Sequence, residues 1–276
     1  MIKMINFELY KNGRIIRYEK NAQLFNTHNS NTLFIFHGLY GRGKNWQSFA
    51  KKISENEKTI VITVDLRNHG GNTFQENMSY TLMMEDIFDL FNYLEINKTN
   101  LLGHSMGGKL AMLITLLKPN YIDKLIIADI APINYPNDNQ NIIDALCNLD
   151  LNLVKNRNHA DLLLSNEIEK NFLRSFLLQN IKLSDGKYKW SINLTAIKKS
   201  MNDLRSFPKI DKNNKVDTKS LCIYGQKSEY VKITHFQIFK NYFSNILFHQ
   251  IKNAGHFLHI ENPDEFYEVS KNFFKN

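Results

Sequence analysis

Cysteine is scarce in this sequence, with only Cys147 and Cys222 among 276 residues. The two lie far apart and in no recognisable motif, which argues against a disulfide scaffold and against a cysteine-based zinc site. Such low cysteine usage is typical of a reducing compartment. We therefore expect a cytoplasmic protein.

Long apolar runs are also absent. No stretch reaches the roughly 18 consecutive apolar residues that a membrane-spanning helix requires. The N-terminal segment, MIKMINFELYKNGR, does not follow the pattern of a signal peptide. We expect neither a membrane span nor a targeting segment.

A nucleic-acid-binding motif is the third absence. The formal net charge is +8, but the lysines are scattered and form no dense basic stripe. We expect a small-molecule partner rather than a nucleic acid, and the basic surplus leaves room for an anionic substrate.

Short apolar runs alternate with helical patterns along most of the chain. The runs are continuous rather than alternating, which is typical of strands buried on both faces. An antiparallel hairpin that turns at Asn12-Gly13 leads into them. Strands separated by helices predict a mostly parallel sheet flanked by helices. The strands are predicted at 32–36, 59–65, 100–103, 124–129 and 220–225, and the clearest helices at 79–95, 105–118 and 262–274.

Residues 134–205 break this rhythm. They show mostly helical patterns, interrupted by one turn in SDGKYKW. We interpret them as a helical cap inserted between two sheet strands, with 1–133 and 206–276 forming the α/β core. An insertion there would lie above the carboxyl edge of the sheet, where α/β proteins bind ligands.

A G-x-S-x-G motif, GHSMG, stands at 103–107 between a predicted strand and a predicted helix. In that context the serine occupies a sharp, strained turn that exposes its hydroxyl. Side chains at Gly103 and Gly107 would collide with neighbouring backbone. Ser105 is therefore the predicted nucleophile.

A serine nucleophile needs a base within hydrogen-bond reach and an acid that orients the base. The chain order in this type of site is serine, acid, histidine. His256 follows a small-residue turn late in the chain and is the predicted base, whereas we interpret the nearby His259 as structural. Two acids remain open: Asp129 ends the strand KLIIAD, and Glu229 follows the next strand.

The segment FIFHGLYGRGKNW permits a competing interpretation. Gly38, Gly43 and Lys44 fit the G-x-x-x-x-G-K pattern of a phosphate-binding loop. That loop needs a hydroxyl after its lysine to hold magnesium, and Asn45 stands there. A nucleotide site would also leave GHSMG unexplained.

An oxyanion hole explains the same segment better. The backbone amide of Leu39, just beyond the strand that ends at His-Gly, would pair with the amide of Met106, which follows the nucleophile. Arg42 and Lys44 then become charges at the rim of the site.

Four segments carry a family resemblance: GHSMGGK, DKLIIADIAPINY, VDLRNHG and AGHFLHIENP resemble α/β-hydrolases, most closely the small bacterial YbfF-type esterases. The similarity runs from about 32 to 270 and is weakest in the insertion. It implies Asp129 as the acid beside Ser105 and His256, with Ser228 joining the network. It also implies an α/β-hydrolase fold with a helical cap, acting without a metal or organic cofactor.

The expected function is that of a serine hydrolase. It would cleave small-molecule carboxylic esters or acyl-CoA thioesters through an acyl-enzyme on Ser105. Phe172, Phe176 and Trp190 of the cap are candidates for an acyl pocket, although such residues are more often plain core. Two alternatives stay open: a carbon–carbon bond hydrolase or lyase on the same fold, and a hydrolase-fold binding protein with little turnover.

Overall fold

An eight-stranded sheet organises the chain in the computed structural model, which describes residues 5–18, 31–55, 59–136, 140–210 and 214–275. Residues 1–4, part of the segment in which we looked for a signal peptide, lie outside the described residues. The strands are β1 (Phe7–Lys11), β2 (Arg14–Ile16), β3 (Asn31–Phe36), β4 (Thr59–Val64), β5 (Thr99–His104), β6 (Ile122–Ala128), β7 (Ile181–Ser184), β8 (Lys187–Trp190), β9 (Lys219–Gly225) and β10 (Ile246–Ile251).

The order of strands across the sheet is β10-β9-β6-β5-β3-β4-β1-β2. The six strands from β10 to β4 are parallel, and β1 and β2 add an antiparallel hairpin at one edge. Asn12 and Gly13 turn the hairpin with φ angles of 52° and 71°, as the Asn-Gly pair predicts. The predicted mostly parallel sheet is confirmed.

The helices begin and end at signals that the sequence displays. Ser79 caps α2 by accepting from the Leu82 amide at 3.2 Å, Pro119 follows α3, and Pro263 starts α10. The helices are α1 (Gln47–Ile53), α2 (Tyr80–Leu94), α3 (Met106–Leu117), α4 (Gln140–Asn148), α5 (Arg157–Leu164), α6 (Asn171–Leu178), α7 (Leu194–Arg205), α8 (Phe236–Tyr242), α9 (Leu258–Glu261) and α10 (Pro263–Lys275).

Successive residues of the central strands point into two separate apolar cores. In β3, for example, Phe34 and Phe36 pack with α2 and α3, whereas Leu33 and Ile35 pack with α1 and α10. Both faces of the sheet are therefore covered by helices, which is why the strands appear as continuous apolar runs. At the carboxyl edge, the loops after β3, β5, β6, β9 and β10 lie side by side.

Among its described residues, the insertion contains four helices, α4 to α7, and also a β-ribbon that the sequence analysis did not predict. The segment SDGKYKW, interpreted as a turn between helices, instead contains the end of β7, the turn at Asp185 and Gly186, both at positive φ, and the whole of β8. The two ends of the insertion meet, since the Tyr135 amide donates to the Arg205 carbonyl at 3.1 Å. The division into a core and a cap at 134 and 205 stays a prediction.

Within the part of the chain that the structure describes, no helix combines the length and the apolar character needed to cross a membrane.

Candidate active site

Ser105 lies at the junction between β5 and α3, with φ 53° and ψ −118°. A residue other than glycine adopts such a conformation only where the surroundings enforce it. Its amide donates to the Ala128 carbonyl of the adjacent strand at 3.0 Å. A Cβ on Gly103 would lie 2.2 Å from the Gly107 oxygen, and one on Gly107 would lie 2.4 Å from the Phe36 oxygen. Only glycine fits at either flank of this turn.

The side chains of Ser105, His256 and Asp129 form a hydrogen-bonded series. His256 Nε2 lies 3.0 Å from Ser105 Oγ, and His256 Nδ1 lies 2.7 Å from Asp129 Oδ2. A carboxylate accepts, so Nδ1 carries the proton and Nε2 presents its lone pair to the serine hydroxyl. Asp129 is fully buried and the His256 side chain is 18% exposed. The three groups nominated from the sequence are therefore brought together by the loops after β5, β6 and β10.

Asp129 is held by further donors. The Gly225 amide donates to its Oδ1 at 3.0 Å, and the Ser228 hydroxyl donates to its Oδ2. Asp129 has φ 51°, a left-handed conformation that Asp and Asn tolerate better than most residues. This loop conformation turns the carboxylate toward His256.

Glu229, the other candidate acid, lies in solvent. Its side chain is 83% exposed and forms an ion pair with Lys232 at 2.7 Å. The hydrogen bond from Lys232 lowers the pKa of Glu229. Asp129 alone of the two carboxylates contacts His256 within the described residues.

Several groups that the sequence analysis did not single out hold the His256 loop. Tyr230 stacks on the His256 ring with 3.8 Å between centroids, and His104 Nε2 lies 2.9 Å from the His256 carbonyl oxygen. The Glu261 carboxylate accepts from the amides on both sides of His256, at 2.8 and 3.1 Å. Of these groups, His104 lies inside the G-x-S-x-G motif and Glu261 inside the segment AGHFLHIENP, whereas Tyr230 stood in no recognised pattern.

His259 packs as a structural residue would. Its ring stacks on Trp46 with 4.2 Å between centroids and 10° between planes. Burial lowers the pKa of His259 to about 3, so its ring is neutral near pH 7. It packs against Trp46 of the apolar core and takes no part in the hydrogen-bonded series.

The two backbone amides that the sequence analysis assigned to an oxyanion hole belong to Leu39 and Met106. A Cβ on Gly38 would lie 3.2 Å from Ser105 Cβ, so the turn that carries Leu39 packs directly against Ser105. Met106 is the first residue of α3, where an amide has no intrahelical acceptor and the helix dipole is positive. Among the described residues neither amide donates to a protein acceptor. Both could therefore donate to a developing negative oxygen.

Aromatic residues of the insertion extend over this region. Phe172 and Phe176 of α6 contact Phe257, at 5.1 and 5.0 Å between centroids, and Phe257 lies 5.5 Å from the His256 ring. Phe172 is 48% exposed. Trp190, the third candidate, packs partly buried against the main core from β8.

The segment that resembled a phosphate-binding loop is organised around a carboxylate. The Gly43 amide donates to Asp65 Oδ1 at 2.7 Å, and Lys44 is exposed. A phosphate would meet the negative charge of Asp65 where a phosphate-binding loop offers amides. In the described ranges no group of His, Cys, Asp and Glu side chains is arranged to hold a metal ion.

Known proteins resemble most of the chain. The sequence matches the family described as alpha/beta hydrolase fold over residues 31–263. A Haemophilus influenzae protein named as an esterase/lipase is 32% identical over 252 residues, which cover 91% of this chain and 85% of that protein. Esterase YbfF of Escherichia coli is 30% identical over 240 residues, covering 87% and 91% of the two chains. A solved marine microorganism esterase has a TM-score of 0.87 at 32% identity, covering 98% of this chain and 99% of that one.

Proposed function

Since the chain belongs to the alpha/beta hydrolase fold family, we propose that it hydrolyses carboxylic esters or acyl-CoA thioesters through an acyl-enzyme on Ser105. It is a carboxylesterase-type hydrolase. The proposal concerns its mechanism, the residues that perform it and the range of its substrates. The observation that carries it is the hydrogen-bonded series from Ser105 through His256 to Asp129.

Acylation begins when Ser105 Oγ attacks the carbonyl carbon of the substrate. His256 Nε2, 3.0 Å away, takes the hydroxyl proton, and Asp129 offsets the charge that the imidazole gains. The negative oxygen of the tetrahedral intermediate accepts from the Leu39 and Met106 amides. The bond from carbon to the leaving oxygen or sulfur then breaks, and His256 returns its proton to the departing alcohol or thiol.

Deacylation repeats these steps with water. His256 Nε2 removes a proton from the water, whose oxygen attacks the acyl carbon of the Ser105 ester. The same two amides stabilise the second tetrahedral intermediate. When it collapses, the acid leaves and Ser105 recovers its proton from His256. Each transfer uses a group of this chain or water, so the proposed cycle needs neither a metal nor an organic cofactor.

The substrate range is tied to the insertion. The rings of Phe172, Phe176 and Phe257 form an apolar surface next to His256. An apolar acyl or alcohol chain would be favoured there over a polar one. A series of p-nitrophenyl esters and acyl-CoA thioesters of increasing chain length, compared by kcat/KM, would rank oxygen esters against thioesters.

The nucleophile is tested by Ser105→Ala. We expect it to reduce kcat for p-nitrophenyl acetate by about 10⁴-fold or more, because the acyl-enzyme cannot form. A fluorophosphonate probe should label the native protein once, on the peptide that contains Ser105. Ser175→Ala, an exposed serine on α6, is the matched control and should behave as wild type. Ordinary turnover by Ser105→Ala would refute the proposed mechanism.

A further inference from the structure

The turn that carries the Leu39 amide is oriented through the carbonyl group that precedes it. The Gly38 carbonyl oxygen accepts from the Gly41 amide at 2.9 Å and from His37 Nδ1 at 2.7 Å. The N–H of a trans peptide points away from its carbonyl, so these two donors also fix the direction of the Leu39 N–H.

Tyr40, the next residue, has φ 61°, a conformation that a tyrosine adopts only under constraint. Two hydrogen bonds hold it on opposite sides. Its amide donates to His69 Nε2 at 3.1 Å, and its carbonyl accepts from Asn180 Nδ2 at 2.8 Å. Without them the turn could relax to a commoner backbone conformation and rotate the Leu39 peptide.

The two hydrogen bonds that His69 and Asn180 make to Tyr40 form a clamp on the turn. The hydrogen bond to His69 persists near neutral pH. His69 Nδ1 donates to the Arg67 carbonyl at 2.9 Å, which leaves Nε2 as the acceptor for the Tyr40 amide. Burial lowers the pKa of His69 to about 3, and it also lowers the pKa of His37. A neutral His69 keeps the lone pair that Tyr40 requires.

The asparagine side of the clamp comes from the insertion. Asn180 follows α6 and is fully buried. Its Nδ2 also donates to the Leu177 carbonyl at 3.1 Å, and its own carbonyl accepts from the Ser191 amide at 2.7 Å. Asn180 is thus anchored between α6 and the residue that follows β8, and from there it reaches Tyr40.

We propose that Asn180 is a positioning residue for the oxyanion hole, which holds the Tyr40 turn so that the Leu39 N–H faces the tetrahedral intermediate. The inference rests on the proposed function, because it takes Ser105 as the nucleophile. The insertion then contributes to the rate of the chemical step as well as to substrate choice. Asn180 is buried and acts through the turn, so a substitution at Asn180 should change substrate affinity little.

Asn180→Leu tests this role by removing the amide donor while keeping the number and branching of the side-chain heavy atoms. Complete loss of one oxyanion donor typically costs about 10²–10³-fold in kcat, and a displaced donor should cost about 10- to 100-fold, with KM changed less than about twofold. Affinity for an aryl trifluoromethyl ketone should fall in parallel with kcat. Ser105 Oγ adds to that ketone, its proton passes to His256 and the new oxyanion occupies the hole.

Gln179→Leu is the matched control. Gln179 joins the insertion to the core beside Asn180, by accepting from Asn45 Nδ2 at 2.6 Å, and it makes no hydrogen bond to the turn in the described residues. We expect Gln179→Leu to retain kcat within about twofold. If both variants lost kcat equally, general attachment of the insertion would explain the result and the proposal would fail. It would also fail if Asn180→Leu kept the wild-type kcat.

Two further measurements keep the test decisive. Should Asn180→Leu not fold, Asn180→Asp keeps the size of the side chain but replaces its Nδ2 donor, and it should show the same loss of kcat and of ketone affinity. The ketone is also measured against Ser105→Ala. If Ser105→Ala still bound it like the wild type, the nucleophile assignment would fail, whereas loss of binding there leaves the result at Asn180 to decide the positioning role alone.

Discussion

The acid of the proposed site can be tested with a pair of amide substitutions, Asp129→Asn and Glu229→Gln. Both remove one carboxylate and keep the size of the side chain. Asparagine is the appropriate replacement at 129 because Asp129 has φ 51°, which Asn tolerates and Ala does not. The oxygen of the introduced amide could still accept from the Gly225 amide, as Asp129 Oδ1 does at 3.0 Å.

The expected loss follows from the tautomer of His256. At position 129 an amide NH₂ would replace the oxygen that now lies 2.7 Å from His256 Nδ1. His256 would then present its lone pair at Nδ1 and its proton at Nε2, toward Ser105, where a base is needed. In serine proteases this exchange lowers kcat by about 10⁴-fold, which corresponds to about 5.4 kcal/mol at 1.36 kcal/mol per tenfold.

Glu229→Gln should leave kcat within about twofold, because it removes only a solvent-exposed ion pair with Lys232. Hydrolysis of p-nitrophenyl acetate at saturating concentration measures both variants, and thermal unfolding by circular dichroism verifies that each is folded. A larger loss from Glu229→Gln than from Asp129→Asn would move the acid to the later loop and refute the reasoning.

Two other substitutions address the surroundings of this acid and base. Ser228→Ala removes a donor to Asp129 while leaving His256 in place. It should lower kcat about 10- to 100-fold at constant KM, since a hydrogen bond to a charged group contributes about 1.5–3 kcal/mol. Ser228→Thr should retain the rate, and equal losses in both would contradict this role. Burial lowers the pKa of His259 from an ordinary 6.5 to about 3. Between these two pH values the unfolded chain binds a proton at His259 and the folded protein does not. The free energy of unfolding therefore falls as the pH is lowered from 6.5 towards 3, by up to about 1.4 kcal/mol per pH unit. His259→Phe keeps a ring against Trp46 and should remain active. Urea unfolding between pH 7 and 4.5 should show that its free energy of unfolding falls less steeply with decreasing pH than that of the wild type. An equal pH dependence in the two proteins would refute this role of His259.

The central sheet was predictable because each of its inner strands is buried on both faces. Apolar, β-branched runs such as 32–36 and 124–129, which alternate with helical patterns along the chain, have few interpretations other than buried strands. The ribbon of β7 and β8 gave no such signal. Its residues are mostly exposed and half of them are polar or charged, so only the turn at Asp185-Gly186 was visible.

The site was predictable where the chemistry is encoded locally. The turn around Ser105 requires glycines at fixed spacing, and these appear in the sequence whatever surrounds them. Spacing could not choose between Asp129 and Glu229, because the choice depends on which loop reaches His256 across the sheet edge. The family resemblance favoured Asp129, whose Oδ2 lies 2.7 Å from His256 Nδ1, and its role as the acid stays a prediction.

The side chains that hold the Tyr40 turn could not be predicted from the sequence for a related reason. Asn180 acts on a backbone carbonyl 140 residues away, and His69 accepts from a backbone amide 29 residues away. A backbone group carries no residue identity, so no paired pattern marks such contacts in one sequence. They emerge only when the hydrogen bonds of a strained residue such as Tyr40 are accounted for one by one.

Lys109 attaches the insertion to the helix that starts at the nucleophile. It lies on α3 four residues after Ser105, is buried, and donates to the carbonyls of Leu204, Arg205 and Ser206 at the end of α7. Burial lowers the pKa of Lys109 to about 7, whereas the negative end of the α7 dipole favours its charged form.

The insertion therefore contacts both structures that carry the proposed oxyanion donors. Asn180 reaches the turn that holds Leu39, and Lys109 ties the end of α7 to the helix whose first amide belongs to Met106. If both attachments bear on the orientation of these amides, changes in the insertion would alter the rate of the chemical step as well as the choice of substrate. Such a coupling would give the insertion a route to tune the rate of the chemical step while the residues around Ser105 stay fixed.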